Sequence, residues 1–268
     1  MADVRPESSV RTHYRVSGVA ARALAALAAQ GIEEPAPSDL APVDQLHTGG
    51  IRATRELASL LELRPGDRVL DLGCGLGGPA RCIAFEFGCT VVAVDLVRDL
   101  LREGRVLTSA CGLLDRIQFV AGTALRLPFR DESFDAVCTQ HVVMNIADRL
   151  NFWREAARVL RRGGRFGSFD IVRGPNPAPL TFPLPWASRA EISFVLTPEE
   201  TRVGMEEAGF EIERWEQPEP PPVTVPAARG LDQRMALGEE IGERIANVGA
   251  AYADGRLALL RVLARRQR

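Results

Sequence analysis

One stretch restricts what this chain can fold into more than any other: Val69-Leu70-Asp71-Leu72, then Gly73-Cys74-Gly75-Leu76-Gly77-Gly78, then Pro79-Ala80-Arg81. A short apolar run ends in an acid, glycines cluster, and helical spacing begins. That order reads as strand, tight loop and helix N-terminus. The start of a helix exposes backbone N–H groups and the positive end of the helix dipole, so it attracts an anionic group. Glycine lets the backbone approach a ligand with no Cβ in the way. Gly73, Gly75 and Gly78 match the G-x-G-x-x-G spacing of a dinucleotide loop. A glycine-rich turn that holds nothing is the competing reading.

From Arg68 onward strand and helix patterns alternate. Val69 to Leu72, Thr90 to Val94, Ile117 to Ala121, Phe134 to Thr139, Arg165 to Val172 and Phe210 to Trp215 read as strands, and Leu257 to Ala264 as a last one. Helical spacing covers Pro79 to Phe87, Val97 to Ala110, Asp148 to Leu160 and Pro198 to Ala208. Near-continuous apolar strands between helices predict a parallel sheet covered on both faces, with right-handed crossovers. The expected fold class is therefore α/β: a Rossmann-like, doubly wound, mostly parallel seven-stranded sheet with a small helical and loop cap. Before the core, residues 1–15 read as loosely ordered, Val16 to Gln30 as a helix, Pro35 to Pro42 as a linker and Ile51 to Leu61 as a helix. Arg173 to Val195 carries five prolines and little periodicity, and a loop that long is expected to be functional. Pro218 to Pro226 reads as a connector and Leu231 to Ala253 as one helix. The expected division is a cap and lid over 1–64, a core over 65–217 with a substrate loop at 173–196, and a second cap with the last strand over 218–268.

Composition excludes several classes. The net charge of −2 gives no strong pull toward nucleic acid. There is no lysine, and all 33 basic residues are arginine. No apolar run reaches about 18 residues, so no membrane span is expected, and Met1 to Gly18 lacks the apolar segment of a secretory signal. The five cysteines form no C-x-x-C pair and no Cys/His ligand spacing, which points to free thiols in a cytoplasmic protein without a metal.

Two later segments bear on what the loop holds. Gly122-Thr123-Ala124-Leu125-Arg126-Leu127-Pro128-Phe129, running on to Asp131-Glu132-Ser133-Phe134-Asp135, resembles the G-D-A-x-x-L-P-F-x-D-x-S-F-D segment of class I S-adenosylmethionine (SAM) methyltransferases. Glu155-Ala156-Ala157-Arg158-Val159-Leu160-Arg161-Arg162-Gly163-Gly164 resembles their E-x-x-R-V-L-x-P-G-G turn, with Arg162 where proline is usual. Asp71 completes their D-x-G-x-G loop. Further stretches (Asp44 to Gly50, Gln140 to Ile146 and Phe182 to Ala187) resemble the small-molecule branch that contains sarcosine/dimethylglycine N-methyltransferases, and more distantly the ubiquinone/menaquinone and tocopherol types.

That resemblance implies roles for individual residues. Gly73 and Gly75 would carry the methionine part of SAM, with Asp71 bracing the loop. Asp95 and Leu96 would hold the ribose and the adenine edge, and Ala124 and Leu125 would flank the adenine. Thr123 stands where the family has aspartate, and its hydroxyl can still bond the adenine. Gln45, His47, Gly49, Gly50 and Gln140 complete the expected cofactor set, with His47 in a lid. Asp95 also fits a plain helix N-cap. His141, beyond the fourth strand, is the candidate base, since a neutral imidazole can take a proton near neutral pH; shaping the pocket is its alternative. Tyr14 is the second catalytic candidate. Tyr14, His141, Met144 and Trp186 are the expected acceptor contacts, and the two aromatic faces would favour a sulfonium by cation–π attraction. Asp170 and Glu191 are candidates to engage a cationic amine. The expected partner is a small-molecule acceptor whose identity and reacting atom the sequence leaves open, and a homo-oligomer is equally open. Two other readings stand beside methyl transfer: a SAM-binding module or non-redox cyclase, and an NAD-dependent oxidoreductase on the same glycine loop.

Overall fold

Seven strands make one sheet: β1 (Arg68–Leu72), β2 (Thr90–Asp95), β3 (Ile117–Ala121), β4 (Phe134–Gln140), β5 (Leu160–Arg173), β6 (Phe210–Glu216) and, last in the chain, β9 (Leu257–Arg266). The computed structural model describes residues 6–14, 16–221 and 227–267. The strand order is β3-β2-β1-β4-β5-β9-β6. The first five strands pair in parallel, and β9 runs antiparallel between β5 and β6. A short hairpin of β7 (Ala227–Ala228) and β8 (Leu231–Asp232) stands apart.

Neighbouring side chains of each inner strand go to opposite faces. Val69, Val91, Ala93 and Ala136 pack with helices α4 (Gly50–Leu60) and α5 (Gly78–Phe87). Leu70, Leu72, Val92, Val94 and Val137 pack with α7 (Arg149–Val159) and α8 (Pro198–Glu207). Burying each such valine or leucine contributes about 1.5–3 kcal/mol, which is why the inner strands read as continuous apolar runs. A third cluster joins α2 (Val19–Ala28) and α3 (Pro37–Asp44) to α6 (Arg98–Ala110).

The helix ends follow their sequence signals. Thr197 and Glu200 form a reciprocal capping box, with Glu200 N–H donating to Thr197 Oγ1 at 3.1 Å and Thr197 N–H to Glu200 Oε2 at 2.8 Å. Asp148 accepts from the Asn151 amide at 3.2 Å and starts α7.

Three expectations outside the core are corrected. The N-terminal segment read as loosely ordered contains helix α1 (Pro6–His13). The stretch read as a linker is largely α3: Pro37 stands at its start, where no N–H is needed, and the Asp39 carboxylate accepts from the Ala36 amide at 3.0 Å. The single helix expected over 231–253 is β8, a short α9 (Arg234–Leu237) and α10 (Ile241–Ala253), interrupted where Gly238 takes φ 83°. Part of the proline-rich connector, 222–226, lies outside the described residues.

One buried contact fastens α3 to the core. Arg81 on α5 is fully buried and pairs with Asp44 at 2.7 Å. Its guanidinium also donates to the carbonyls of Leu76 (2.8 Å) and Gly104 (3.1 Å) and to Thr108 Oγ1 (2.7 Å).

Candidate active site

In an open α/β sheet, ligands bind beyond the carboxyl ends of the strands where the strand order reverses. Here that point lies between β1 and β4. The glycine loop follows β1, and His141 follows β4.

The loop is clamped by the next strand: the Gly73 and Cys74 amides both donate to Val94 O, at 2.8 and 3.0 Å. Gly73 has φ 75°, and a Cβ on it would stand 2.3 Å from Val142 Cγ2. A Cβ on Gly78, at the start of α5, would stand 2.6 Å from both Oδ1 and the backbone oxygen of Asp44. Two segments thus close on the loop from either side, and only glycine permits both approaches.

A cavity of about 350 Å3 opens above this loop. Gly73, Gly75, Asp95 and Leu96 line it on one side. Thr123, Ala124 and Leu125 line it on another, and Gln140 and His141 form its floor toward β4. The Asp95 carboxylate accepts from the Gly75 amide at 2.9 Å and from the Val97 amide at 2.8 Å, so one side chain shapes the loop and starts α6. Burial raises its pKa. Asp71 lies beneath the loop rather than on the wall; burial, with the Asp95 charge adding, pushes it up to about 7. Cys138 Sγ is its donor, at 3.9 Å.

A second cavity, of about 480 Å3, adjoins the first. Tyr14, Leu46, His47 and His141 line both. Met144 and Trp186 face only the second, and so do Gly49 and Gly50, which sequence resemblance assigns to the cofactor. Gln45 lines neither. Its side-chain oxygen instead accepts from Thr54 Oγ1 at 2.7 Å and from His47 Nε2 at 2.9 Å, and Gln140 Nε2 donates to Thr54 Oγ1 at 3.2 Å. Gln45 therefore sets the His47 ring.

His141 is held by unusual backbone geometry. Its φ of 53° is left-handed, a conformation that costs a non-glycine residue about 1–3 kcal/mol. The Asp170 carboxylate holds the turn by accepting from the Val142 amide at 2.8 Å and the Val143 amide at 3.2 Å, with Ser168 Oγ at 2.8 Å on its other oxygen. The His141 Nδ1–H donates to Phe169 O at 3.2 Å, which leaves Nε2 as an acceptor 3.0 Å from Thr48 Oγ1. Burial pushes His141 down to about 3 and His47 down to about 4, so both rings are neutral. Their centroids stand 5.9 Å apart. Asp170 thus has its acceptor capacity engaged at this turn, and Glu191 is exposed beside Arg189 at 3.6 Å. Neither is aimed at a cationic amine.

Helix α1 covers the junction. Its Glu7 and Val10, with Tyr14 just beyond, line the first cavity. Glu7 Oε1 accepts from Thr123 Oγ1 at 2.5 Å, which brings an acid beside the position where the resembled family carries one. Burial pushes the Tyr14 phenol up to about 12, and Asn145 Nδ2 donates to it at 3.5 Å. His13 Nε2–H donates to Pro185 O at 2.6 Å, tying α1 to the 173–196 loop. Sequence reasoning missed Glu7, Asn145 and the α10 side chains of the second cavity. Asn145 lay within a segment already singled out, whereas nothing local marks Glu7.

The "Methyltransferase domain" family matches residues 70–167. The methyltransferase GfsG of Streptomyces halstedii is 39% identical over 134 residues, 50% of this chain and 48% of that protein. The glycine/sarcosine/dimethylglycine N-methyltransferase of Actinopolyspora halophila is 33% identical over 123 residues, 46% of this chain and 22% of that one. The chain spans about half the length of the first curated relatives it matches. Among solved structures, the geranyl diphosphate C-methyltransferase of Streptomyces coelicolor A3(2) superposes with a TM-score of 0.71 at 17% identity, covering 99% of each chain, which is a likeness of fold. The matched stretch runs from β1 through β5 and holds the glycine loop, Asp95, the Thr123 segment and His141. Residues 70–167 thus match a methyltransferase domain, and that domain is what the chain shares with these relatives.

Proposed function

We propose that this chain transfers a methyl group from SAM to a small-molecule acceptor. The observation that carries this reading is the pair of adjoining cavities, one on the glycine loop and one beside it, sharing Tyr14, Leu46, His47 and His141. The first cavity suits a nucleoside joined to an amino acid. Gly73 and Gly75 would take the amino-acid end, Asp95 and Leu96 the ribose, and Thr123, Ala124 and Leu125 the adenine. When bound, SAM supplies a methyl carbon already activated by its sulfonium.

What remains for the protein is positioning and exclusion of water, which in ideal systems lower a barrier by about 7–11 kcal/mol. The α1 segment, through Tyr14, covers the junction and offers an aromatic face there. His141 Nε2, with Thr48 beside it, would hold the acceptor's reacting group. With its pKa near 3, His141 would take a proton only from a group made strongly acidic by methylation. The described residues include no helix long and apolar enough to cross a membrane, and with five free cysteines we assign the chain to the cytoplasm.

Calorimetry with SAM tests the donor, and detection of S-adenosylhomocysteine with candidate acceptors tests transfer. Micromolar SAM binding is expected. NADH bound in its place overturns the reading. SAM bound with no turnover on any acceptor would favour a binding module. Turnover unaffected by His141→Ala would remove the proton role.

A further inference from the structure

The second cavity says more about the acceptor than the sequence does. Its wall is mainly apolar, built from four separated parts of the chain: Leu46 and Ile51, then Met144, then Trp186, then Ile241 and Ile245 of α10. At the end shared with the first cavity His141 Nε2 and Thr48 Oγ1 stand 3.0 Å apart, and Ser38, Arg52 and Gln233 add polar groups elsewhere on the wall. Among the described residues the one ionised side chain on this wall is Arg52, whose side chain is 72% exposed and faces Glu56 at 3.8 Å, so it stands at the rim. Among them, too, no group of three or more His, Cys, Asp or Glu is placed to hold a metal ion.

An ammonium taken into this cavity would meet two neutral imidazoles, hydroxyls, the Gln233 amide and the faces of Tyr14 and Trp186 but no carboxylate, and burying a charge without an ionic partner is strongly unfavourable. A diphosphate would meet one solvated guanidinium. The volume of about 480 Å3 lies within the range of about 300–1,000 Å3 that holds drug-sized ligands, far more than a two-carbon amino acid fills. We infer that the acceptor is an uncharged, mostly apolar molecule presenting a hydroxyl to His141 and Thr48, rather than an amine zwitterion or a diphosphate ester. This rests on the methyltransferase reading above for the word acceptor, but the selectivity of the cavity is testable without turnover.

Calorimetry of the full chain with geraniol, geranyl diphosphate (with and without Mg2+) and sarcosine separates the chemistries, because the first two share one hydrocarbon chain and differ in charge. Geraniol is expected to bind at least tenfold more tightly than either charged probe. Ile245→Asp, a half-buried position on α10, is expected to weaken geraniol at least tenfold while SAM binding is kept, which also reports that the variant is folded. Tighter binding of geranyl diphosphate or sarcosine overturns the inference, as does geraniol binding indifferent to Ile245→Asp. Loss of SAM binding in the unmodified chain would sink the donor reading instead, and leave the cavity's selectivity standing on the geraniol result.

Discussion

The two cavities meet at the same pair of histidines but are built by different kinds of chain. The donor-side cavity is walled chiefly by loops leaving the carboxyl ends of β1 to β4, each fixed by a hydrogen bond within the core, such as Gly73 to Val94 and Asp95 to Gly75. The acceptor-side cavity is walled mostly by segments outside the parallel sheet: α3, the loop into α4, the 173–196 loop and α10. The first is an edge that a parallel sheet produces wherever its strand order reverses. The second exists only because separate additions fold onto that edge. On the proposed function, donor recognition belongs to the sheet and acceptor recognition to what covers it.

The variants that break this division are ordered by the size of their effect. Arg81→Met removes the cation from the buried pair with Asp44 and leaves a carboxylate unpartnered, so a loss of about 3–5 kcal/mol is expected in urea unfolding. A loss below about 1 kcal/mol would mean that α3 is not fastened to the core through this pair. Gly73→Val combines a left-handed backbone with the clash at Val142, and the sum of roughly 2–5 kcal/mol predicts at least a 30-fold loss of SAM affinity by calorimetry. Asp95→Ala frees two backbone donors and removes the proposed ribose contact; a loss of about 2 kcal/mol, near 30-fold in SAM affinity, is expected while geraniol binding is kept. Equal loss of both ligands would erase the distinction between the cavities.

Acidity separates the regions as well. His47 and His141 at the junction have folded-state pKa values lowered to about 4 and about 3 from 6.5. Their contribution to stability is fully present above pH 6.5 and is lost as pH falls toward those values. Asp71 under the loop and Asp170 behind His141 are raised by burial to about 7 and about 6 from 3.8. Their contribution is present below pH 3.8 and is lost as pH rises through 6 to 7. Thermal melts from pH 4 to 8 should therefore show His141→Gln flattening the acid limb and Asp71→Asn flattening the limb near neutrality. Unchanged slopes in both variants would contradict this assignment. The smallest effect is expected of Glu7→Gln, which weakens one contact from α1 to Thr123: about 0.5 kcal/mol, or twofold to threefold in SAM affinity.

Legibility follows the same line. The strands could be read because inner parallel strands are apolar on both faces, and the glycine loop because Gly73 and Gly78 occupy approaches that any side chain would block. Helices α1 and α3 were not legible: Pro37, Pro42 and a polar N-terminal run suppress the apolar periodicity that identifies a helix, and α3 owes its place to Asp44 meeting Arg81. Gly49, Gly50 and Gln45 were assigned to the cofactor from motif resemblance, yet two line the other cavity and the third orients His47. A motif records proximity along the chain, not which of two neighbouring hollows a residue faces.

By itself, then, the sequence determined the α/β sheet, its glycine loop and the acid at the end of β2, because periodicity, glycine and strand-end position are local properties. Only the tertiary structure decided the acceptor side. The left-handed His141 turn is held by Asp170 across 28 positions, and the α1 cover with Tyr14 and the apolar wall from α10 join residues about a hundred positions or more apart in the chain. Their meeting depends on packing and buried hydrogen bonds that no local pattern encodes.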